Sequence, residues 1–392
     1  MLKLSSVLAL SALAIRHVDA GSRMWESPLH YKSQDEPVEI KLSLEGNNVT
    51  ILGVDTSSIS DNGTESSNDK RWVSIKNAGQ NQRNKSYRWP DKTITFHFKD
   101  ETAKDRLSGP LDAAKAMWAV AGLPPDFRYE EVEDEAEYQS RKGAILLISY
   151  NTEGFLATSL GRPTENDNGP SPEMKLSDST SIGTLNVIAN FAHELGHAWG
   201  MHHEHQNPQF WTDPYSEANG NRVQFGEGHG PFNCEALSDY AATRTRLIAD
   251  NGESGGLRRL EAACTKRASA IEHGFRGAME WLPLDDGEDF VASEKPFDKL
   301  SIMLYPSQAG GKGGVSGGTD NRESVLEFPN GEKLPINTVP SRQDVEGLKK
   351  LYNVKRGGFK SFLSESSDAS NSRFEAVRAE DLGQSCSNRK RK

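Results

Sequence analysis

The stretch that decides the fold is His193-Glu194-Leu195-Gly196-His197-Ala198-Trp199-Gly200-Met201-His202-His203-Glu204. On a helix, His193 and His197 are four residues apart and share one face, so both imidazoles can reach a single cation. Gly200 can adopt the left-handed conformation that ends a helix, which would bring His203 back as a third nitrogen ligand. Three protein ligands leave one coordination position for water.

The residues around these histidines indicate the metal and its use. Neutral imidazoles suit zinc better than magnesium or calcium, so the sequence predicts one catalytic Zn²⁺. Glu194 follows the first ligand, where its carboxylate can act as general base on a metal-bound water. A lone histidine is usually a core or surface residue, but a chance match of all five positions is on the order of one in ten thousand. His202 and His205 are interpreted as solvated neighbours of the ligand.

Outward from this motif, the apolar pattern predicts a mixed α+β domain. Val187 to Trp199 carries an apolar stripe, which predicts a helix over about 185–200. Upstream, Ile94, Phe96 and Phe98 alternate as in a strand, Pro110 is expected to head a helix, and 144–150 is rich in strand formers. Residues 344–352 are expected to form a closing helix. This order of elements suits an α+β fold.

The pattern H-E-x-x-H-x-x-G-x-x-H resembles that of the metzincin metallopeptidases. Glu204, after the third histidine, makes the sequence similar to the astacin family within that clan. A second stretch, Phe297-Asp298-Lys299-Leu300-Ser301-Ile302-Met303-Leu304-Tyr305, resembles the astacin Met-turn. The resemblance spans about residues 86–354. It implies a metzincin-like catalytic domain with a twisted mixed sheet, an active-site helix and the Met-turn.

The resemblance also implies roles for single residues. Met303 would form the apolar floor under the zinc, although an ordinary core methionine would pack similarly. Tyr305 would be a further ligand or a hydroxyl donor to the developing oxyanion. Residues 154–161 would bind peptide substrate by strand addition. Glu204 would lie close to the new N-terminus of the processed chain.

The sequence departs from the family after the third histidine. Met201, Asn207 and Leu304 stand where astacins usually have Phe, Arg and His, so subsite preference does not carry over. The interval 206–295 is long and predicts an inserted helical lobe, with helical patterns at 237–250 and 257–273. Of three cysteines, Cys234 and Cys264 both lie in this insertion, so we favour their pairing as a disulfide. The alternative is two unpaired thiols.

The N-terminal region is typical of an exported precursor. Residues 1–20 read as a signal peptide, with an apolar stretch and small residues before the expected cut after Ala20. Residues 21–85 are interpreted as a propeptide and linker, with a hairpin at 38–54 and a dibasic processing site at Lys70-Arg71; an ordinary extension is the alternative. Asp55 is a candidate zymogen switch by the resemblance, and a turn aspartate otherwise. We therefore expect a secreted, extracellular protein.

Composition excludes other classes of function. With 46 basic and 56 acidic residues the net charge is −10, so no global positive field favours nucleic acid. No apolar run beyond the N-terminus suits an integral membrane segment. Residues 355–392 are polar and are expected to be a disordered tail with a basic end.

Together these observations predict a secreted zinc endopeptidase that acts on protein or peptide substrates and is inhibited by its own propeptide. The alternatives are another metzincin subgroup, or a zinc-stabilised extracellular binding domain without catalysis.

Overall fold

The structure is a computed structural model of the 392-residue chain. It describes the following residues: 40–45 and 48–54 (backbone only), 73–75, 87–153, 155–163, 166–179, 182, 184, 186–217, 223–285, 290–292, 296–316 and 319–354, with backbone only at 315, 316 and 319. The signal peptide, Asp55, Lys70-Arg71 and the tail from residue 355 lie outside the described residues. Within these residues, no helix has the length and apolar character needed to cross a bilayer.

A five-stranded mixed sheet lies at the centre of the domain. Its strands are β4 (Thr93–Phe98), β5 (Arg128–Glu131), β6 (Leu146–Tyr150), β7 (Ala157–Thr158) and β8 (Glu173–Leu176). Their spatial order is β5-β4-β6-β8-β7; only β7, at one edge, runs antiparallel to its neighbour. The predicted mixed α and β fold class is confirmed.

Helix α1 (Glu101–Val120) packs against the sheet and against α3 (Val187–Trp199), the helix that carries His193 and His197 and is called the ligand helix below. We expected it to begin at Pro110, but Asp100 caps its N-terminus by accepting the Ala103 N–H, so Pro110 lies inside the helix. A proline inside a helix removes one hydrogen bond. Leu107 and Leu111 on either side of it are both buried, so one apolar stripe continues across the proline. Burial of the two leucines therefore outweighs the preference of proline for the first turn of a helix.

Within the described ranges, three short strands come before the five-stranded sheet in the chain. Strands β1 (Ile40–Glu45) and β2 (Asn48–Val54) pair as the expected antiparallel hairpin. Strand β3 (Val73–Ser74) pairs with β9 (Val291–Ala292), and its side chains are buried. The segment 73–75, which falls in the region interpreted as propeptide and linker, thus belongs to the folded core.

The insertion after the third histidine is helical, as expected. It contains α4 (Tyr240–Ala263), α5 (Arg267–Glu272) and α6 (Arg276–Trp281). Helix α2 (Glu135–Ser140) is not part of this lobe and lies between β5 and β6 in the chain. The two expected helices at 237–250 and 257–273 differ from the structure. Helix α4 runs through most of the first and the start of the second, with a non-helical Gly252 inside it, and α5 occupies part of the remainder. A disulfide joins Cys234 to Cys264 across the lobe.

The chain then returns to the core. Residues 297–305 form the turn that contains Met303, which is buried. Beyond it come the small hairpin β10 (Val315–Ser316) and β11 (Thr319–Asp320), and helix α7 (Arg342–Leu351). Ser341 and Asp344 form a capping box at the start of α7. Asp344 also accepts hydrogen bonds from Ser301 and Ile302, so the capping box fixes this turn.

Candidate metal centre and active site

Helix α3 (Val187–Trp199) carries the first two histidines. Asn186 caps its N-terminus by accepting the Ala189 N–H at 3.0 Å. Gly200 ends it in the left-handed conformation, at φ +102°. A Cβ at this position would also lie 2.9 Å from the Ile75 side chain, so glycine is required for conformation and for space. The helix end that the sequence predicted is therefore the point at which the chain turns toward His203.

The three predicted ligands, His193, His197 and His203, converge on one point. One nitrogen from each ring lies within 4.8 Å of the others, and all three residues are buried. The Nε2 atoms of His197 and His203 are only 3.0 Å apart. Ligands at 2.0–2.1 Å around a tetrahedral zinc are separated by roughly 3.3 Å, so this spacing suits a shared ion.

Each ring is held by its other nitrogen. His193 Nδ1 donates to the Ile302 carbonyl at 2.7 Å, and His197 Nδ1 donates to the Met201 carbonyl at 2.8 Å. His203 Nδ1 lies 3.1 Å from Gln206 Oε1. Protonation at Nδ1 leaves the lone pair on Nε2, so all three rings present an acceptor to the common point. The lone pairs on His197 Nε2 and His203 Nε2 would repel each other at this distance, so a cation between the two atoms is needed to stabilise them.

The electrostatics of the site favour the neutral imidazoles that bind metals. Burial lowers the pKa of His197 to about 4. Burial and the neighbouring histidines hold the pKa values of His193 and His203 well below the usual range. Metal ligands must be deprotonated, so these rings are in the binding form at neutral pH. The donor set therefore fits zinc.

Glu194 lies in the same buried region and is 2% exposed. Its Oε2 has no hydrogen-bond partner among the described residues. Burial raises the pKa of Glu194 to about 8; the nearby Thr158 hydroxyl lowers it and the charge of Glu280 raises it. Glu194 directly follows His193 on α3, and a buried carboxyl group with a raised pKa binds a proton readily, as a general base must.

Thr158 lies near Glu194 because strand β7 is held beside α3. Thr158 pairs with Met174 on β8, and the Gly161 N–H donates to the His197 carbonyl at 3.0 Å. The Thr158 hydroxyl is buried and, like Glu194 Oε2, has no hydrogen-bond partner in the described part of the chain. Sequence analysis missed Thr158, although it lies in the stretch 154–161 assigned to substrate binding.

Met303 and Tyr305 both lie at the histidines, as the resemblance implied. A Cβ on Gly196 would lie 2.4 Å from Met303 Sδ, so the sulfur packs directly against the ligand helix between the two histidines. The Tyr305 ring centroid is 4.0 Å from that of His203. Met303 therefore supports the helix, and Tyr305 packs against the third ligand.

The Glu204 side chain contacts the turn that contains Met303. It is buried, and its Oε1 accepts the Asp298 N–H at 2.9 Å. Burial and the charges of Asp298 and Asp344 raise its pKa well above the usual range. Its own N–H donates to the Met303 carbonyl at 3.0 Å. Glu204 therefore ties the segment after the third ligand to the Met303 turn.

The interpretation of His205 as a solvated residue is wrong. His205 is fully buried, its Nε2 donates to the Glu280 carbonyl at 3.0 Å, and its ring packs against Trp281. Burial lowers its pKa to about 3. The reason is the inserted lobe, which covers this segment and removes it from solvent. His202 is partly buried, and its N–H donates to the Val73 carbonyl at 2.9 Å.

The lobe also brings Gln206, Glu280 and Trp281 to the site, and the sequence did not identify them. Gln206 lies three residues after His203, a spacing that could have drawn attention to it. Glu280 and Trp281 come from helix α6, more than 70 residues away, and no local pattern connects them to the histidines.

No family model and no curated protein matches the sequence. Among solved structures, the chain is similar to high choriolytic enzyme 1, a hatching enzyme zinc-protease from the medaka fish Oryzias latipes. The identity is 17% and the TM-score is 0.37, and the match covers 69% of this chain and 94% of that chain.

Proposed function

We propose that this chain is a secreted zinc endopeptidase of the metzincin type. One zinc ion would be held by His193, His197 and His203, with Glu194 as general base. The observation that carries the proposal is the close approach of His197 Nε2 and His203 Nε2, 3.0 Å apart, beside a buried carboxylate. An ion pair or a structural histidine cluster would place donors opposite acceptors, whereas this cluster directs its acceptors inward.

The chemistry of the site follows from its parts. Zinc, when bound, supplies a Lewis acid and lowers the pKa of a coordinated water to about 7. Glu194 takes the proton from the attacking water and returns one to the leaving amine. Its unpartnered Oε2 is available for that proton, and the nearby Thr158 hydroxyl lowers the pKa of the carboxyl group. The proposed role of Tyr305, whose ring packs against His203, is to donate a hydrogen bond to the oxyanion.

Strand β7 is the proposed substrate-binding edge. It is the last strand of the sheet and lies beside α3, so a peptide added as a further strand would pass over Glu194. Main-chain hydrogen bonds would then provide affinity with little dependence on side chains.

Replacing the base tests the proposed chemistry. We expect Glu194→Gln to bind one zinc per chain as the wild type does, while kcat for casein falls about 10²–10⁴-fold, because general base catalysis contributes that much. The measurements are metal content by mass spectrometry and casein hydrolysis, before and after chelation and zinc restoration. Glu346→Gln, on α7 and paired with Lys349, is the matched control and should keep full activity.

Two results would contradict the proposal. A wild-type chain that binds zinc but never cleaves casein or a peptide library would instead be a zinc-stabilised binding domain. A Glu194→Gln enzyme with near-normal turnover would remove Glu194 from the mechanism.

We also propose processing of a secreted precursor after Lys70-Arg71. The segment 73–75 supports a cut before it rather than after it. The Ile75 N–H donates to the Gly200 carbonyl at 2.9 Å, and the Val73 carbonyl accepts from His202 at 2.9 Å. A cut that removed this segment would expose the end of the ligand helix. N-terminal sequencing of the active protein tests this, and a start at Gly21 would contradict propeptide removal.

A further inference from the structure

Gln206 lies between the third histidine and the inserted helical lobe. Its Oε1 is 3.1 Å from His203 Nδ1, and its Nε2 donates to the Glu280 carbonyl, on helix α6, at 2.9 Å. The side chain is buried, with 2% of its surface exposed. One amide group therefore bridges the candidate metal ligand and the lobe.

The direction of these hydrogen bonds fixes the tautomer of His203. A main-chain carbonyl can only accept, so Glu280 requires the NH₂ of Gln206, which leaves Oε1 toward the imidazole. Oε1 can only accept, so His203 must donate from Nδ1. The lone pair then lies on Nε2, the atom that faces His197 Nε2 at 3.0 Å. The carbonyl on α6 thus decides which nitrogen of His203 is available to a metal.

The end of α6 holds Gln206 by its main chain as well. The Leu284 N–H donates to the Gln206 carbonyl at 3.0 Å. The Glu280 carbonyl also accepts from His205 Nε2 at 3.0 Å, and the Trp281 ring packs 4.7 Å from that of His205. His205 and the main chain of Gln206 are therefore both fixed by the same end of the lobe, and rotation of the Gln206 amide would lose its hydrogen bonds to His203 and Glu280.

We infer that Gln206 is a positioning residue through which the inserted lobe orients the third zinc ligand. The inference rests on the proposed zinc site. It gives the lobe a role in metal binding: α6 is part of the support of the metal centre and not only an appendage beside it. Partners of ligating histidines typically contribute 10–100-fold in metal affinity or activity.

The experiment compares Gln206→Met with Gln308→Met in the full-length chain. Both glutamines are buried, and Gln308 Nε2 donates to the Arg322 carbonyl at 2.9 Å, but none of its hydrogen bonds within the described residues reaches a histidine. Zinc affinity is measured by chelator competition, and the geometry of the site by the visible spectrum of the Co²⁺-substituted protein. We expect Gln206→Met to bind zinc about 10–100-fold more weakly and to shift the cobalt bands. Gln308→Met should match the wild type in both.

Gln206→Glu separates positioning from general stability. A carboxylate still accepts from His203 Nδ1 but cannot donate to the Glu280 carbonyl, so Gln206→Glu should bind zinc more tightly than Gln206→Met and more weakly than the wild type. Circular dichroism of the metal-free variants shows whether each has folded, and Gln206→Leu replaces the methionine variant if that one has not. Equal zinc affinities for the carboxylate and apolar variants, or an apolar variant with wild-type affinity and cobalt spectrum, would overturn the inference. A wild-type chain that binds no zinc would instead refute the proposed function.

Discussion

The two candidate ligands on α3 and the candidate ligand on the following turn are held in different ways. His193 and His197 donate to main-chain carbonyls of the core, on Ile302 and Met201. His203 instead depends on the side chain of Gln206, which is held by the lobe. We call these the core half and the lobe half of the site. The motif holds His197 within itself, whereas His193 needs a carbonyl of the Met303 turn and His203 needs the inserted lobe.

Opening the disulfide of the lobe should have the largest effect. Cys234 and Cys264 are 30 residues apart, so the bond stabilises by about 3–4 kcal/mol in the chain-entropy model. We expect Cys234→Ser/Cys264→Ser to lose about that much free energy of unfolding. We also expect it to release zinc faster, because α6 packs against α4, which lies in the loop that the disulfide closes. Denaturant unfolding and the rate of zinc transfer to a chelator measure the two effects.

Cys386→Ser is the control for this experiment, because it removes the third cysteine and leaves the observed pair intact. Loss of stability with unchanged zinc release would show that the lobe half tolerates a loosened lobe, and the contrast between the halves would then weaken.

In the core half, the sequence predicted what is local, although the Ile302 carbonyl that holds His193 lies 109 residues away. The spacing of His193 and His197 and the glycine at position 200 fix the helix, its end and the return of the chain. The lobe half depends on contacts between Gln206 and Glu280, which are 74 residues apart and follow no periodic pattern. The same limit applied to His205, whose polarity suggested solvent although the lobe covers it.

Secondary structure was predicted where apolar periodicity and caps agreed. Strand β4 and helices α3 and α7 lie close to their expected positions. Helix α1 begins before Pro110, where the sequence predicts its start. Burial of the leucines on both sides of the proline outweighs the preference of proline for the first turn of a helix. The lobe helices were divided at the glycines of 252–256, but only Gly252 leaves the helical conformation.

A substitution at Gly196 probes the core half and should have an intermediate effect. A Cβ there would lie 2.4 Å from Met303 Sδ and 3.4 Å from Trp118, and both side chains are buried. Overpacking typically costs about 1–3 kcal/mol, and the higher helix propensity of alanine returns about 1 kcal/mol. We expect Gly196→Ala to lose up to about 2 kcal/mol of unfolding free energy and to weaken zinc binding. Denaturant unfolding and chelator competition measure both quantities.

Gly255→Ala, on helix α4 of the lobe, is the matched substitution. Its nearest neighbour is the Cβ of Asn251 at 3.3 Å, on an exposed side chain that can shift. We expect this variant to gain up to about 1 kcal/mol from helix propensity. Stabilisation by both alanines would mean that Met303 does not pack against the ligand helix as described.

The smallest effect is expected at Ser341, which supports the core half indirectly. Its hydroxyl accepts the Gln343 and Asp344 N–H groups and donates to Asp298, while Asp344 accepts the Ile302 N–H. Loss of an N-cap costs about 1 kcal/mol, so Ser341→Ala should lower the unfolding free energy by roughly that amount. The Ile302 carbonyl anchors His193, so zinc affinity should fall slightly as well.

Asp134→Ala is the matched control for Ser341→Ala, because it also removes the N-cap of a helix. Asp134 caps helix α2 by accepting the Glu137 N–H at 2.9 Å, and its hydrogen bond does not involve the Met303 turn. Both variants should lose similar stability by denaturant unfolding, but only Ser341→Ala should change zinc affinity by chelator competition. If the two variants weaken zinc binding equally, the capping box of α7 does not act through the turn, and His193 is held by Ile302 without its help.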